Sequence, residues 1–364
     1  MAKTVLMLGT SPSVKGGITA VVATLRGAGF FDRARVRYID THVETGGLDK
    51  ILQFGRALMR TLGALLRGQV TLVHAHVSSG ASFWRKSMLL AIARTFRVPT
   101  IFHLHSGAFD SFASRGGSLR AAVVRYTLER SSVVIVLSNR WSEWVHTFAP
   151  AANVRVLPNP VNVPHRAGGG SEPDKKTSSK RVLYLGLVSE AKGTFDLLRA
   201  WQHFSQDVSG WRLVIGGYGE TDRMISEVQR LGLADSVDFL GWVAGSDKER
   251  ELAHASIFVL PSYNEGMPVS ILEAMAYGTP VIATAVGGIP DMIRPEADGI
   301  LVPPGDIPKL AGALVRLATS RELRHRLGSS GRELVIDRYS TEKILDRLAS
   351  LYAEIDKNSA QRRS

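Results

Sequence analysis

The chain has 364 residues, no cysteine and a formal net charge of +12. Without cysteine, disulfides, thiolate metal sites and cysteine nucleophiles are excluded, and the length favours two domains over one. No uncharged apolar run approaches the roughly 20 residues that a membrane-spanning helix needs, so a cytoplasmic protein is expected.

The positive charge lies in the N-terminal half of the chain. Residues 1–164 contain 20 Lys and Arg against 7 Asp and Glu, whereas residues 165–364 contain 25 against 26. No acidic residue occurs between Ile51 and Thr100. Such an asymmetry predicts a polyanionic partner, either nucleic acid or an anionic membrane surface.

Short apolar runs alternate with helical stretches along the chain. The first run leads into a Gly/Ser/Pro loop and indicates a β-strand rather than a signal peptide. Near-continuous apolar strands between helices are typical of parallel sheets covered on both faces. We therefore predict an α/β fold with two doubly wound domains across a cleft. Strands are predicted at residues 4–8, 70–75, 100–103, 133–137, 154–157, 181–185, 212–215, 237–239, 256–260, 281–283 and, as an edge strand, 300–302.

The domain boundaries are predicted from composition. Residues 1–164 form an N-terminal domain, and residues 181–340 form a C-terminal domain. Between them, residues 165–180 are rich in Gly, Ser, Pro and charge, which indicates a flexible linker. Residues 341–364 are predicted to form an amphipathic helix that ends in a charged tail.

Glycines and polar residues follow many of the predicted strands. In open α/β sheets, ligands bind just beyond the carboxyl ends of the strands. This arrangement in both halves favours one ligand held across the cleft. The residues concerned include Gly16, Gly17, His105, Lys192, Gly193, Gly217 and Glu265.

The segment Leu48–Arg67 is predicted to be an amphipathic helix. Its large apolar residues share one broad face, and Arg56, Arg60 and Arg67 cluster on another. One interpretation is a helix packed on the core with a solvated basic side. The other is a basic surface, completed by Arg85 and Lys86, that contacts anionic lipid or a membrane-embedded acceptor.

The most informative segment is Ile257–Gly288. A buried strand is followed by a loop carrying Glu265, then by a helix that begins near Pro268, carries Glu273 and ends at Gly278. Helical side chains lean toward the N-terminus, so both carboxylates can reach the mouth of the loop. The free N–H groups there favour a phosphate. Two carboxylates beside an anion site suit a nucleotide sugar.

The two glutamates, separated by seven residues in the setting EGMP and EAMAYGTPVI, resemble the hallmark of glycosyltransferase family 4 of the GT-B fold. The resemblance covers most of the chain. It includes GGI at Gly16, HLHSG around His105, LPNPVN at Leu157–Asn162, LVSEAKG at Leu187–Gly193 and IGGYGE at Ile215–Glu220.

The resemblance implies a retaining, metal-independent glycosyltransferase that moves a hexose from a nucleoside-diphosphate sugar to a lipid-linked or cell-surface glycan. Glu265 would contact hydroxyls of the donor sugar, Glu273 would bind the ribose hydroxyls, and His105 would lie near the sugar. Lys192 is a compact cation suited to the diphosphate. The family usually has Gly-Arg where this chain has Gly186 and Leu187. The remaining candidate donor-binding residues are Gly16, Gly17, Gly217, Gly266, Met267 and Trp242.

Two alternatives stay open. A nucleotide-sugar epimerase shares the GT-B fold, and a non-catalytic glycosyltransferase-like or nucleic-acid-binding protein would also use the basic half. No G-x-G-x-x-G follows the first strand and no P-loop motif occurs, which disfavours dinucleotide and P-loop sites. No Asp-x-Asp occurs, and the H-x-H pairs at His74 and His103 are interpreted as core histidines, so no metal is expected.

Overall fold

The computed structural model describes residues 3–44, 46–164 and 179–361. The chain divides into two compact units, one of residues 1–160 with 341–364 and one of residues 161–340. Most of the predicted linker, residues 165–178, lies outside the described residues. The predicted fold class is confirmed, because each unit contains a parallel six-stranded sheet with surrounding helices.

The first unit is built on a sheet of order β2-β1-β3-β4-β5-β6. Its strands are β1 (Thr4–Gly9), β2 (Val36–Asp40), β3 (Val70–Val77), β4 (Thr100–Leu104), β5 (Val133–Val136) and β6 (Val154–Val156). Its helices up to this point are α1 (Gly17–Gly27), α2 (Phe30–Arg33), α3 (Gly47–Leu66), α4 (Ala81–Thr95), α5 (Phe109–Ser114), α6 (Gly117–Glu129) and α7 (Asn139–Phe148).

Strand β2 is absent from the sequence prediction. It is an edge strand in which only Ile39 is buried. Its charged residues, Arg37 and Asp40, interrupt the apolar run that marks the other strands. An edge strand buries less of its surface, so the apolar signal is weak there although the chain pairs in parallel with β1.

The second unit has a sheet of order β12-β11-β10-β7-β8-β9. The strands are β7 (Arg181–Val188), β8 (Arg212–Gly219), β9 (Val237–Gly241), β10 (Ile257–Leu260), β11 (Val281–Thr284) and β12 (Ile300–Val302), which confirms the predicted edge strand. The helices are α8 (Thr194–Asp207), α9 (Thr221–Arg230), α10 (Gly245–His254), α11 (Val269–Ala276), α12 (Ile289–Met292), α13 (Ile307–Thr319) and α14 (Arg321–Arg338).

The C-terminal helix α15 (Thr341–Gln361) returns to the first unit. Its buried Tyr352 contacts Phe30, with ring centroids 5.8 Å apart, and its hydroxyl lies 2.6 Å from His74 Nδ1. The apolar face of the helix thus completes the core of a domain whose other elements lie at the opposite end of the sequence.

Helix α3 packs on the core, but its buried face is not the broad face of large apolar residues that the sequence predicts. The buried face is formed by Gln53, Ala57, Thr61, Ala64 and Leu65, most of them small. Of the large residues predicted to share the packed face, Leu65 is buried and Phe54 and Leu58 pack partly against the core, whereas others are exposed. The exposed large residues of α3 are Leu48, Ile51, Leu52, Met59 and Leu66.

In each sheet there is one pair of neighbouring strands after which the chain continues toward opposite edges of the sheet. In the first unit this switch point lies between β1 and β3, and in the second between β7 and β10. Loops that follow such strands diverge and leave a crevice at the carboxyl edge, which is where ligands bind in open α/β sheets. The two switch points therefore locate the candidate sites.

Candidate functional site

The segment predicted to carry the site forms the expected strand, loop, helix and strand. Helix α11 begins at Val269, one residue after Pro268, which is its N-cap. Gly278 follows the helix with a φ of 70°, and its N–H donates to the carbonyl of Met275 at 2.8 Å. This glycine therefore ends the helix as predicted, because a left-handed residue there satisfies the free carbonyls.

Lys192 and Glu265 meet at the switch point of the second unit. Lys192 ends the short 3₁₀ turn after β7, and its Nζ lies 2.6 Å from Glu265 Oε1 in the loop after β10. The Ser262 hydroxyl donates to the same oxygen at 2.8 Å. Glu265 is buried, whereas Lys192 is partly exposed. Both of these hydrogen bonds go to Glu265 Oε1, and neither uses Oε2.

Two glycines bring the loops of this site together. Gly193 has a φ of 66°, and a Cβ there would lie 2.0 Å from the carbonyl oxygen of Pro261. Gly287 has a φ of 54°, and a Cβ there would lie 1.7 Å from the carbonyl oxygen of Glu265. Only glycine permits both the left-handed backbone and this close approach, so these residues set the spacing between Lys192 and Glu265.

Glu273 lies in the second turn of α11 and pairs with a lysine that sequence reasoning did not identify. Lys248 Nζ, from α10, donates to Glu273 Oε1 at 2.6 Å. Burial raises the pKa of Glu273, while the charge and hydrogen bond of Lys248 oppose that rise. The pair holds a carboxylate in a largely buried position.

The other predicted donor residues lie at carboxyl strand ends of the same unit. Gly217 is in β8, where a Cβ would lie 2.0 Å from the carbonyl oxygen of Gly186. Gly266 and the buried Met267 precede α11. Trp242 follows β9, is half exposed and makes an edge contact with Tyr218 at 5.3 Å. Leu187 is paired with Tyr218 in the sheet and is 37% exposed.

In the first unit, Gly16 caps α1 and Gly17 begins it, both beyond β1. His105 directly follows β4, and its Nε2 lies 2.8 Å from His76 Nδ1. Burial lowers the pKa of His105 to about 3, with contributions from His74 and Lys86. His105 is therefore a neutral imidazole that can donate or accept one hydrogen bond.

His105 is the end of a stack of four imidazoles. His74 Nε2 lies 3.0 Å from His103 Nδ1, and the ring centroids of His103 and His105 are 4.1 Å apart. His74, His76 and His103 place ring nitrogens within 4.8 Å of one another. Several of these nitrogens are already hydrogen-bonded, and rings such as those of His74 and His103 stack instead of pointing their lone pairs at one centre.

The predicted basic surface divides into two groups. Arg56, Arg60 and Arg67 are exposed on α3. The prediction that Lys86 lies on this surface is wrong, because the residue is 1% exposed. Its side chain bends back along α4, and its Nζ donates to Ser82 Oγ at 2.8 Å. Arg85 beside it is partly buried.

Sequence reasoning missed Ser262, Lys248 and Gly287. Ser262 lies three residues before Glu265, a local spacing that could have been noticed. Lys248 lies 25 residues before Glu273 on a helix rich in charged residues, and no sequence signal distinguishes it from its neighbours. Gly287 contacts Glu265 only because β10 and β11 are adjacent.

Family comparisons match both halves of the chain. Residues 14–164 match the family described as Glycosyltransferase Family 4, and residues 171–334 match the family described as Glycosyl transferases group 1. In the described residues, no helix combines the length and the apolar character that crossing a membrane would require.

Three curated proteins illustrate the similarity. An α-D-kanosaminyltransferase of Streptomyces kanamyceticus is 26% identical over 85% of this chain and 82% of its own length. A phosphatidyl-myo-inositol mannosyltransferase of Mycobacterium leprae is 28% identical over 84% and 79%. An exopolysaccharide phosphotransferase of Streptomyces coelicolor is 30% identical over 66% of this chain, which spans only 25% of that protein.

Solved structures share the fold. A sucrose-phosphate synthase of Thermosynechococcus elongatus superimposes with a TM-score of 0.79 at 23% identity, covering 97% of this chain and 99% of that one. Anabaena HepE, solved with UDP and glucose, gives a TM-score of 0.75 at 19% identity, covering 97% and 100%.

Proposed function

Because the chain is a glycosyltransferase of the GT-B type, we propose that it transfers a hexose, with retention of configuration, from a nucleoside-diphosphate sugar to a lipid-linked or cell-surface glycan. The observation that carries the proposal is the Lys192–Glu265 pair at the switch point of the second unit. It provides a cation and a hydrogen-bonding carboxylate at the edge where such sheets bind ligands.

The donor is assigned to the second unit. Lys192 and the free N–H groups at the start of α11 supply positive charge for the diphosphate. Glu265 Oε2 accepts from a sugar hydroxyl, and Glu273, held by Lys248, accepts from the ribose hydroxyls. Gly217 and Trp242 border the position of the base, and Gly266 and Met267 the donor loop.

Catalysis in this proposal is mainly electrostatic. As the bond between the sugar and the diphosphate breaks, negative charge develops on the leaving oxygen. A preorganised ammonium and amide dipoles stabilise that charge, which is the largest single contribution in many enzymes. Leu187 contributes no charge, so the countercharge is assigned to Lys192 and the helix terminus. His105, Gly16 and Gly17 lie in the first unit, and their contact with the donor stays a prediction.

The acceptor is assigned to the first unit and to a membrane surface. Exposed apolar residues of α3, including Ile51 and Met59, alternate with the exposed arginines Arg56, Arg60 and Arg67. Apolar side chains can enter the headgroup region while each arginine near anionic lipid contributes about 1 kcal/mol. A peripheral position at the inner face of the membrane, with a lipid-linked acceptor, follows.

The donor assignment is tested by thermal shift with UDP-, GDP- and ADP-sugars on wild type, Glu273→Gln and Lys192→Met. A matching donor raises the apparent stability of the wild type through mass action, and both variants lose the shift. Lys309→Met, on the exposed surface of the same unit, is the matched control. Equal shifts in all four proteins would reject the site.

The reaction is tested by incubating enzyme and donor with membrane lipid extract and following the product by NMR. An α-linked product from an α-linked donor supports retention, whereas inversion of the linkage contradicts it. Conversion of the sugar without any acceptor would identify an epimerase instead.

The membrane assignment is tested by flotation with vesicles of phosphatidylglycerol and phosphatidylcholine. Arg56→Gln combined with Arg60→Gln should reduce binding to anionic vesicles, and Ile51→Ser with Met59→Ser should reduce it at high salt as well. Arg326→Gln, on the second unit, is the control. Binding that persists in all variants would place the contact elsewhere.

A further inference from the structure

The first unit contains a cluster of buried cationic and polar nitrogens at its own switch point. Lys86 is 1% exposed and makes a hydrogen bond to Ser82 Oγ, which also accepts from the N–H of Ser78 at 3.2 Å. An ammonium has three protons to donate, and burying its charge without an anion costs several kcal/mol. The neighbouring charge that acts on Lys86 is the guanidinium of Arg85, which is also positive.

Several groups around Lys86 are buried without a hydrogen-bond partner in the described part of the chain. They are Arg85 Nε on α4, His42 Nδ1 in the loop after β2, and His76 Nε2 on β3. The charge of Lys86 acts on both histidines and on His105. Because buried polar groups are nearly always hydrogen-bonded, these nitrogens from a helix, a loop and a strand mark a place where a polar ligand or ion can bind.

The start of helix α4 adds to this positive potential. Its N-cap is Gly80, its first turn contains no acidic residue, and no side chain caps it. The free N–H groups of a helix N-terminus attract anions. The sequence has no acidic residue from Ile51 to Thr100, so the helix supplies no carboxylate of its own to neutralise Lys86.

The site has a buried floor and an accessible rim. Lys86 forms the floor, whereas Ser79, Gly80, Ser82 and His105 are partly exposed. The Ser82 oxygen already accepts two hydrogen bonds, so its own proton is available for a further acceptor. Ser106, which follows β4, donates to Ser79 at 3.1 Å and ties the loop after β3 to the neighbouring strand end.

We propose that Lys86, Arg85, Ser82 and the first turn of α4 bind a phosphate or diphosphate group. This inference rests on the proposed function, since it makes the acceptor a phosphorylated molecule, such as a diphosphate-linked lipid. A divalent metal at the adjacent histidines is disfavoured, because the ammonium of Lys86 would repel it. A dianion is attracted by the same charges and gives the Lys86 ammonium and the Arg85 Nε–H an acceptor.

The position of this site relative to β1 supports the assignment. The loop after β1 contacts the loop after β2 through Ser11, whose N–H donates to the carbonyl of His42 at 2.9 Å. Lys86 is linked through Ser82 to Ser78, which directly follows β3, and β3 borders the switch point where open α/β sheets bind ligands. Burial and the charge of Arg85 lower the pKa of Lys86 to about 7, the behaviour of a buried ammonium without an anion.

The test is a titration with inorganic pyrophosphate of full-length protein whose lysines carry ¹³C at the ε-carbon. The background is Lys192→Met, so that the proposed donor site does not contribute, and Lys86→Met identifies the resonance of Lys86. We expect a saturable shift of this resonance. By calorimetry, Lys86→Met should weaken binding at least tenfold and Ser82→Ala about threefold, whereas Arg37→Gln, at an exposed residue of β2 in the same unit, should not.

A second arm compares pyrophosphate with farnesyl diphosphate. Tighter binding of the lipid indicates an acceptor that is a lipid diphosphate, and equal binding indicates recognition of the diphosphate alone. A Lys86 resonance that stays unchanged to millimolar pyrophosphate overturns the proposal. That result leaves the donor site untouched, because wild-type Lys192 is tested separately by donor-induced stabilisation. Conversely, loss of the donor response with an intact Lys86 response would reject only the donor assignment.

Discussion

Both sheets place a lysine near their switch point, but the two lysines have different partners. Lys192 is partly exposed and lies 2.6 Å from the carboxylate of Glu265. Lys86 is buried, donates to a serine hydroxyl and has a second cation beside it. The same fold thus produces one site that is neutralised internally and one that retains unneutralised positive charge.

This difference indicates two kinds of ligand chemistry. A paired lysine can hold a carboxylate in place for hydroxyl recognition and still face a phosphate. A buried lysine without an anion is costly in the free protein and is stabilised only by a ligand that brings negative charge. The charge asymmetry of the sequence is therefore partly internal: some of the basic excess of the first half lies inside a site rather than on the surface.

The largest effect is expected from removing the paired lysine. Lys192→Met should lower kcat by about 10²–10³, since one preorganised group that stabilises developing charge is lost. It also leaves Glu265 buried without its cation, so the free energy of unfolding should fall as well. Steady-state sugar transfer and urea unfolding measure the two effects.

Adding Glu265→Gln to that variant should restore stability without restoring turnover, because the uncompensated charge is removed but the cation is still missing. Lys309→Met should leave both quantities unchanged. Recovery of kcat in the double variant would show that Lys192 acts only by holding Glu265.

The next largest effect is a difference in stability between alanine variants of one glycine from each site. Gly193→Ala should lower the free energy of unfolding by about 2–5 kcal/mol, from left-handed strain and overpacking against Pro261. Gly80 has a φ of 66° with a ψ of −137° and open space around it, so Gly80→Ala should cost only the backbone strain, about 1–3 kcal/mol. Equal losses in urea unfolding would contradict the close approach at Gly193.

The third prediction concerns the pH dependence of stability. The pKa of Lys86 is about 7 in the folded protein and near 10.5 when unperturbed. Between these values the unfolded chain binds more protons, so the free energy of unfolding rises with pH. Relative to Lys86→Met, the wild type should gain roughly 2–3 kcal/mol between pH 7.5 and 9.5.

The other titratable groups that face Lys86 do not change their protonation in this pH range, so they do not obscure the rise of the free energy of unfolding with pH. Arg85 stays charged, and burial holds the pKa values of His76 and His105 well below the window, with that of His42 also lowered. Saturating pyrophosphate should flatten the slope, because the anion stabilises the protonated amine. Parallel stability curves for wild type and variant would show that Lys86 is not buried as a free cation.

The smallest effect on stability is expected at the stack of four histidines in the first unit, beside the site at Lys86. Tyr352→Phe removes the hydroxyl that lies 2.6 Å from His74 Nδ1 and should cost about 1–2 kcal/mol, the penalty for a buried group left without its partner. Tyr126→Phe, at an exposed tyrosine, should cost less than about 0.5 kcal/mol. Thermal unfolding of the two variants makes the comparison.

The sequence was sufficient to predict the fold class, eleven of the twelve strands found among the described residues, and the positions of the candidate residues at the carboxyl edges of the sheets. These features follow from local patterns, namely apolar runs for buried parallel strands and glycine or proline at their ends. Strand β2 was missed because an edge strand carries that pattern weakly. The helix around Leu48–Arg67 was identified, but its buried face was predicted only in part, because several small residues are buried there while large ones such as Ile51 and Met59 are exposed.

Only the tertiary structure decided which charges are paired. Lys192 and Glu265 are 73 residues apart, and Lys248 and Glu273 are 25 apart, so each pair depends on which strands become neighbours. In the sequence Lys86 looked like the exposed arginines Arg56 and Arg60, since residue type fixes a charge but not its burial. Burial and pairing are set by long-range packing, and they distinguish a surface lysine from one that forms the floor of a site.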